Sequence, residues 1–119
     1  MRKLIALLSV FSMVLVMSIS AKAASKSSVY VIPGLNFSGN TATCSLRVYA
    51  SHATDTIVAT VTLKHGNSTV KQWTDLTDDG ILNFSDTASV SHGETYTMQV
   101  ALTINGSPYP VADITKTCN

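Results

Sequence analysis

The residues able to do chemistry in this 119-residue chain are few, and their spacing forms none of the familiar catalytic or metal-binding groups. His52, His65 and His92 each stand beside a turn signal or a strand end. No two of them have the i, i+4 spacing of a helical zinc site, and no H-E-x-x-H is present. A site shared by all three would need the fold to collect residues far apart in the chain, so solvated turn histidines are the plainer reading. Cys44 and Cys118 belong to no C-x-x-C pair. Serine is abundant, but nucleophilic catalysis needs a serine, a base and an orienting acid together, and no G-x-S-x-G elbow occurs. Ser91 and His92 are neighbours, and adjacent side chains point apart in extended backbone. The expectation is a protein with no catalytic residue, no metal and no cofactor. Asp75, Asp78 and Asp79 crowd in front of Gly80 and offer hard oxygens of the kind calcium takes. The EF-hand spacing is absent, and a solvated turn whose Asp side chains bond local backbone explains the same residues.

Aromatic residues offer a second kind of chemistry, since exposed planar rings on a sheet can hold a sugar. Tyr49 falls out of phase with Cys44, Leu46 and Val48, which predicts that it faces outward. Trp73 is the only tryptophan and ends a predicted strand; Tyr30 and Tyr109 flank the first and last strands. Tyr49, Tyr109 and Trp73 are therefore the candidate binding residues. For Trp73 the competing reading is packing against the core. Whether any tyrosines meet depends on strand register.

The N-terminus says where such chemistry would operate. Arg2 and Lys3 precede an apolar run from Leu4 to Ile19 interrupted only by Ser9, Ser12 and Ser18, and Ala21-Lys22-Ala23 follows with small residues at both key cleavage positions. This is the three-part pattern of a secretory signal peptide over 1–23, with 24–28 as a flexible leader and 29–119 as the domain. The run is short for a membrane span. The expected localisation is secreted, with no membrane association once the signal peptide is cut. Beyond the signal peptide, five Lys and Arg stand against seven acids, a net charge of about −2. That is unsuited to nucleic acid, which calls for a basic patch. Two cysteines in an exported chain predict a Cys44–Cys118 disulfide, with two free thiols as the alternative.

Two-residue periodicity sets the fold class. Tyr96, Met98, Val100, Leu102 and Ile104 alternate with more polar neighbours, as do Ile57, Ala59, Val61 and Leu63, and again Cys44, Leu46, Val48 and Ala50. Each reads as a strand with one buried face. His65-Gly66-Asn67-Ser68, Thr77-Asp78-Asp79-Gly80 and Asn105-Gly106 supply the turns, the last suited to a type I′ hairpin. Pro33-Gly34 interrupts the first strand, which places that strand at an edge. Seven strands are predicted, near 29–37, 43–51, 56–65, 69–74, 81–86, 95–104 and 109–118, forming an all-β antiparallel sandwich.

At the sixth strand Val90, Gly93, Tyr96, Met98 and Val100 stand as V-x-x-G-x-x-Y-x-M-x-V. This resembles the tyrosine corner of fibronectin type III and immunoglobulin-like domains, whose tyrosine hydroxyl bonds back to nearby backbone. The chain is similar as a whole to small exported bacterial immunoglobulin-like proteins. It departs from the immunoglobulin pattern at Met98, where such a domain has its second cysteine. The resemblance implies that Cys44 and Cys118 lie at the same end of the sandwich, and it implies no particular function. The function expected first is a non-enzymatic extracellular binding module for a protein or a glycan. The alternatives are a self-associating subunit of a surface layer or fibre, with Val29, Val31, Val70 and Trp73 on edge strands and Lys71 opposing such pairing, and a toxin or inhibitor.

Overall fold

The structure, a computed structural model, describes residues 29–119. The expected signal peptide and the 24–28 leader lie outside the described residues. Eight strands follow one another: β1 Tyr30–Ser38, β2 Thr41–Tyr49, β3 Ile57–His65, β4 Ser68–Thr77, β5 Ile81–Ser89, β6 Thr95–Ile104, β7 Ser107–Tyr109 and β8 Ile114–Thr117. Among the described residues no helix is long and apolar enough to cross a membrane.

All pairings are antiparallel and build two sheets. One has three strands in the order β1-β2-β5; the other has five, in the order β4-β3-β6 with β7 and β8 both against β6. The alternation predicted for the central strands is the burial pattern found. Cys44, Leu46 and Val48 of β2 and Ile57, Ala59, Val61 and Leu63 of β3 are buried, together with Tyr96, Met98 and Leu102 of β6. A period of two puts these side chains on one face of each strand, and facing the two sheets together removes both apolar faces from water.

Eight strands replace the expected seven because 109–118 does not run as one. Pro108 and Pro110 provide no N–H for a ladder, and the chain leaves β6 after Tyr109 and rejoins it at Ile114. Pro33 behaves as expected: β1 pairs only with β2 and is an edge strand. Asn105 is the one non-glycine with positive φ among the described residues, at 52°, and Gly106 follows at 82°. Both central positions of the turn thus take the left-handed conformation that Asn-Gly accepts. The Asn105 side chain clasps the neighbouring loop, taking the Thr56 N–H at 2.8 Å and donating to Asp55 Oδ1 at 2.9 Å.

Tyr96 is 4% exposed, and its hydroxyl accepts the Ser91 N–H at 2.8 Å, five residues upstream. The tyrosine pins the loop that leads into β6.

The disulfide expectation is corrected. Cys44 and Cys118 are both fully buried and both free. The Cys118 thiol donates to the Gly39 carbonyl at 3.4 Å, at the β1–β2 turn. Cys44 sits three residues into β2, opposite Leu35 and Asp86 and roughly 10 Å along the strand from that turn. The C-terminus is fastened by backbone instead: Cys118 donates to the Glu94 carbonyl at 2.9 Å and accepts from Gly93 N–H.

Candidate functional site

Side chains that alternate with a buried strand face must point to solvent, and in the three-stranded sheet they form one surface. Register puts Tyr30 opposite Tyr49 and Tyr49 opposite Ile81; two residues along, Ile32 faces Arg47 and Arg47 faces Asn83; two further, Gly34 faces Ser45 and Ser45 faces Ser85. Three rows therefore cross the sheet, spaced about 7 Å along the strands and about 5 Å between them. The first row is aromatic and aliphatic, the second carries the charge, and the third is made of small residues.

Of the six large hydrophobic side chains exposed among the described residues, four are here: Tyr30 at 65%, Ile32 at 56%, Ile81 at 53% and Tyr49 at 38%. Arg47 lies among them. Its Nε donates to Asn83 Oδ1 at 3.1 Å, which orients the guanidinium and leaves its two terminal nitrogens for a ligand. No carboxylate lies within ion-pair distance of it among the described residues. Beside Arg47 lies an open depression of about 480 Å³, lined by Ile32, Ser45, Asn83 and Ser85. Gly34, opposite Ser45, has no side chain, and a Cβ there would stand 2.7 Å from Ser45 Oγ.

The three residues nominated from sequence do not converge. Tyr49 belongs to the surface just described. Tyr109, half-buried on β7, packs against the core of the other sheet, beside an apolar hollow of about 540 Å³ lined by Val58, Val100, Pro108 and Val111. Trp73 points inward from β4, half-buried, its ring 5.5 Å from that of Phe84 across the open side of the sandwich. The core-packing reading of Trp73 thus describes it better than an exposed platform does. What the sequence did not give was the partnership of Tyr30, Ile32, Arg47, Ile81 and Asn83 with Tyr49. Their alternation marked them as outward, but only register shows that they share two adjacent rows.

The histidines are dispersed. His52 faces Asp55, with Nδ1 3.6 Å from Oδ2, near the start of β3. His65, at the far end of β3, holds Glu94 Oε1 at 2.9 Å and lies 5.1 Å from the Tyr96 ring. Among the described residues no three His, Cys, Asp or Glu side chains group as metal ligands. Two of the aspartates before Gly80, Asp75 and Asp79, hold neighbouring residues. Asp79 Oδ1 accepts from the Thr77 hydroxyl at 2.7 Å and the Ile81 N–H at 3.2 Å, holding its carboxyl below the usual range, and Asp75 Oδ1 accepts from Leu76 N–H.

At the open side the β5 edge is covered at Thr87 by side chains. Lys71 points inward from β4; its ammonium donates to the Thr87 carbonyl of β5 at 3.2 Å and lies 5.5 Å from the Trp73 ring centre. Asp86 Oδ1 accepts the Thr87 N–H at 2.7 Å. Both backbone polar groups of Thr87 are thereby engaged, and an inward charge on an edge strand opposes pairing with a further strand.

Comparison with protein-family models, curated proteins and solved structures finds no match to this chain.

Proposed function

We propose that this chain is a secreted, non-enzymatic binding module that engages an extracellular partner through the outer face of β1, β2 and β5. One observation carries the reading: four of the six large hydrophobic side chains exposed among the described residues gather in adjacent rows of one small sheet, around a single arginine. Tyr and Arg dominate the energetics of binding surfaces because they combine large contact area with directed hydrogen bonds. A contiguous apolar patch kept in water costs solubility, and binding is the common reason a soluble domain carries one. The export half of the proposal rests on the N-terminal pattern of residues 1–23.

The finer fold type belongs to the same proposal. A three-stranded β1-β2-β5 sheet facing β4-β3-β6, with the last strands beside β6, supports a fibronectin III-like arrangement, and so does the Tyr96–Ser91 bond. Such folds carry their functions on grafted surfaces, so the fold type adds nothing to the choice of ligand. Self-association along edge strands is the weaker reading, since Lys71 and Asp86 engage the backbone groups of Thr87 on the β5 edge.

Retention of fluorescently labelled protein on the surface of producing cells, and on their extracellular polymer, tests the proposal. Wild-type protein is expected to be retained, and a Tyr49→Ser, Ile81→Ser double variant to be lost from the surface at unchanged thermal stability. Equal retention of the two proteins, or none of either, rejects this face as the binding surface.

A further inference from the structure

We propose that the ligand of this face is an acidic glycan, its sugar ring lying on Tyr30 and Tyr49 and its carboxylate or sulfate held by Arg47. The inference rests on the binding-face reading above and adds the ligand class to it.

Size is the first consideration. The face is three strands wide and nine residues long at most, so it spans roughly 14 by 30 Å, or about 400 Å². A stable protein interface buries about 800 Å² on each partner. A second copy of the chain laid on this face would also bring Arg47 toward Arg47. A small ligand fits the area; a stable dimer does not.

Charge is the second. The outward positions of the three strands are Tyr30, Ile32, Gly34 and Asn36 of β1, Thr43, Ser45, Arg47 and Tyr49 of β2, and Ile81, Asn83, Ser85 and Thr87 of β5. Arg47 is the only ionisable group among them apart from the phenols. Asn83 fixes its Nε, so the remaining fork is oriented and unneutralised. A guanidinium in that state is built to take a planar anion by two parallel hydrogen bonds.

Polarity is the third. The phenols of Tyr30 and Tyr49, the Asn83 amide and the Ser45 and Ser85 hydroxyls surround Arg47, in its own row and the one on either side. Five neutral hydrogen-bonding groups, two aromatic rings and a shallow trough suit a ligand rich in hydroxyls with flat C–H faces. The row spacing of about 7 Å is about the width of one pyranose ring, so a sugar resting on the tyrosine pair places an exocyclic acid over Arg47. Chemically, the ligand is a uronic acid, a sialic acid or a sulfated sugar; the three share the anion and the ring.

An array of uronate, sialylated and sulfated oligosaccharides, each printed beside its neutral or esterified counterpart, tests this with the purified protein. Binding is expected only in the acidic member of a pair. Calorimetric titration of the best acidic chain should show a loss of about tenfold or more in Arg47→Gln, the scale of one charge-assisted hydrogen bond. Tyr49→Ala should weaken binding comparably, and Thr62→Ala, on the other sheet, should leave it unchanged. Equal affinity for acidic and neutral partners overturns the charge assignment. No binding to any glycan at millimolar concentration overturns the ligand class. In that event, selection of acidic peptides whose binding depends on Arg47 and Tyr49 would leave the face standing without the sugar. Glycan binding indifferent to both substitutions would remove the face itself.

Discussion

Removing one oxygen from Tyr96 measures how much of the loop before β6 is held by the tyrosine hydroxyl. In Tyr96→Phe the ring stays where it is, buried, 6.0 Å from the Phe37 ring and 5.1 Å from His65. Only the acceptor of the Ser91 N–H is lost. A hydrogen bond of this kind contributes about 0.5–1.5 kcal/mol net. Ser91 itself is exposed, so water can reach the freed N–H, and the expected loss is near 1 kcal/mol rather than the larger cost of an orphaned buried group. For a domain of this length that lowers Tm by about 4–8 °C. Urea titrations followed by Trp73 fluorescence and by circular dichroism should shift the midpoint without changing the slope, since the same surface is exposed on unfolding. Tyr49→Phe, on the exposed face, is the control and should move stability by less than about 0.5 kcal/mol. If Tyr96→Phe costs no more than the control, the hydroxyl does not pin the corner. The ring is a separate matter: Tyr96→Ala should cost about 3–5 kcal/mol through the cavity it leaves.

Four further outcomes follow from the same geometry. Gly80→Ala should destabilise by about 2 kcal/mol or more, because φ at this position is +79° and an added Cβ would meet the His52 carbonyl; a melt within a degree of wild type would refute it. The Asp55 carboxyl is held below the ordinary range first by the Asn105 side chain and then by His52 N–H, so its contribution is intact above the unfolded pKa of about 4 and is lost as pH falls through the folded value. Asp55→Asn should accordingly flatten the acid limb of stability against pH, and an unchanged limb would contradict the clasp. Burial first, and the Asp86 carboxylate second, push the Cys44 thiol up to about 11, so native protein near neutral pH should leave thiol reagents unreacted while denatured protein yields two thiols per chain; none on denaturation would mean a bridge. Lys71→Val removes the inward charge from β4, and light scattering over a concentration series should then show association that wild type lacks.

Much of the fold was legible because alternation is a local signal. The polar–apolar rhythm of β2, β3 and β6 marks their inward faces without knowledge of partners, and Asn105-Gly106 and Pro33 announce a hairpin and an edge on their own chemistry. The break in the last strand was also present, in Pro108 and Pro110, but apolar residues on both sides carried the alternation across it. The free thiols were not legible. The expected export and an even count argue for pairing, whereas the atoms follow the position of Cys118 beside Gly39, which is a consequence of how β8 lies along β6.

The binding face was legible residue by residue and illegible as a whole, and the reason bears on how it is built. Tyr49 could be placed outward from β2 alone. Its row mates Tyr30 and Ile81 lie 19 residues before it and 32 after it, and a shift of one residue in either pairing would turn them into the core. Register is fixed from the other side of the sheet. Leu35, Leu46, Val48 and Leu82 must all be buried, and burying them leaves Tyr30, Ile32, Arg47, Ile81 and Asn83 no choice but to share the outer rows. The core therefore specifies the geometry of the face without constraining its chemistry. An apolar or aromatic residue at an outward position brings the fold nothing that Thr or Ser would not, and Thr is what the outer face of the other sheet carries at Thr60, Thr62, Thr97 and Thr115. That contrast between two faces of one small domain is why the aromatic one is read as a place where something binds.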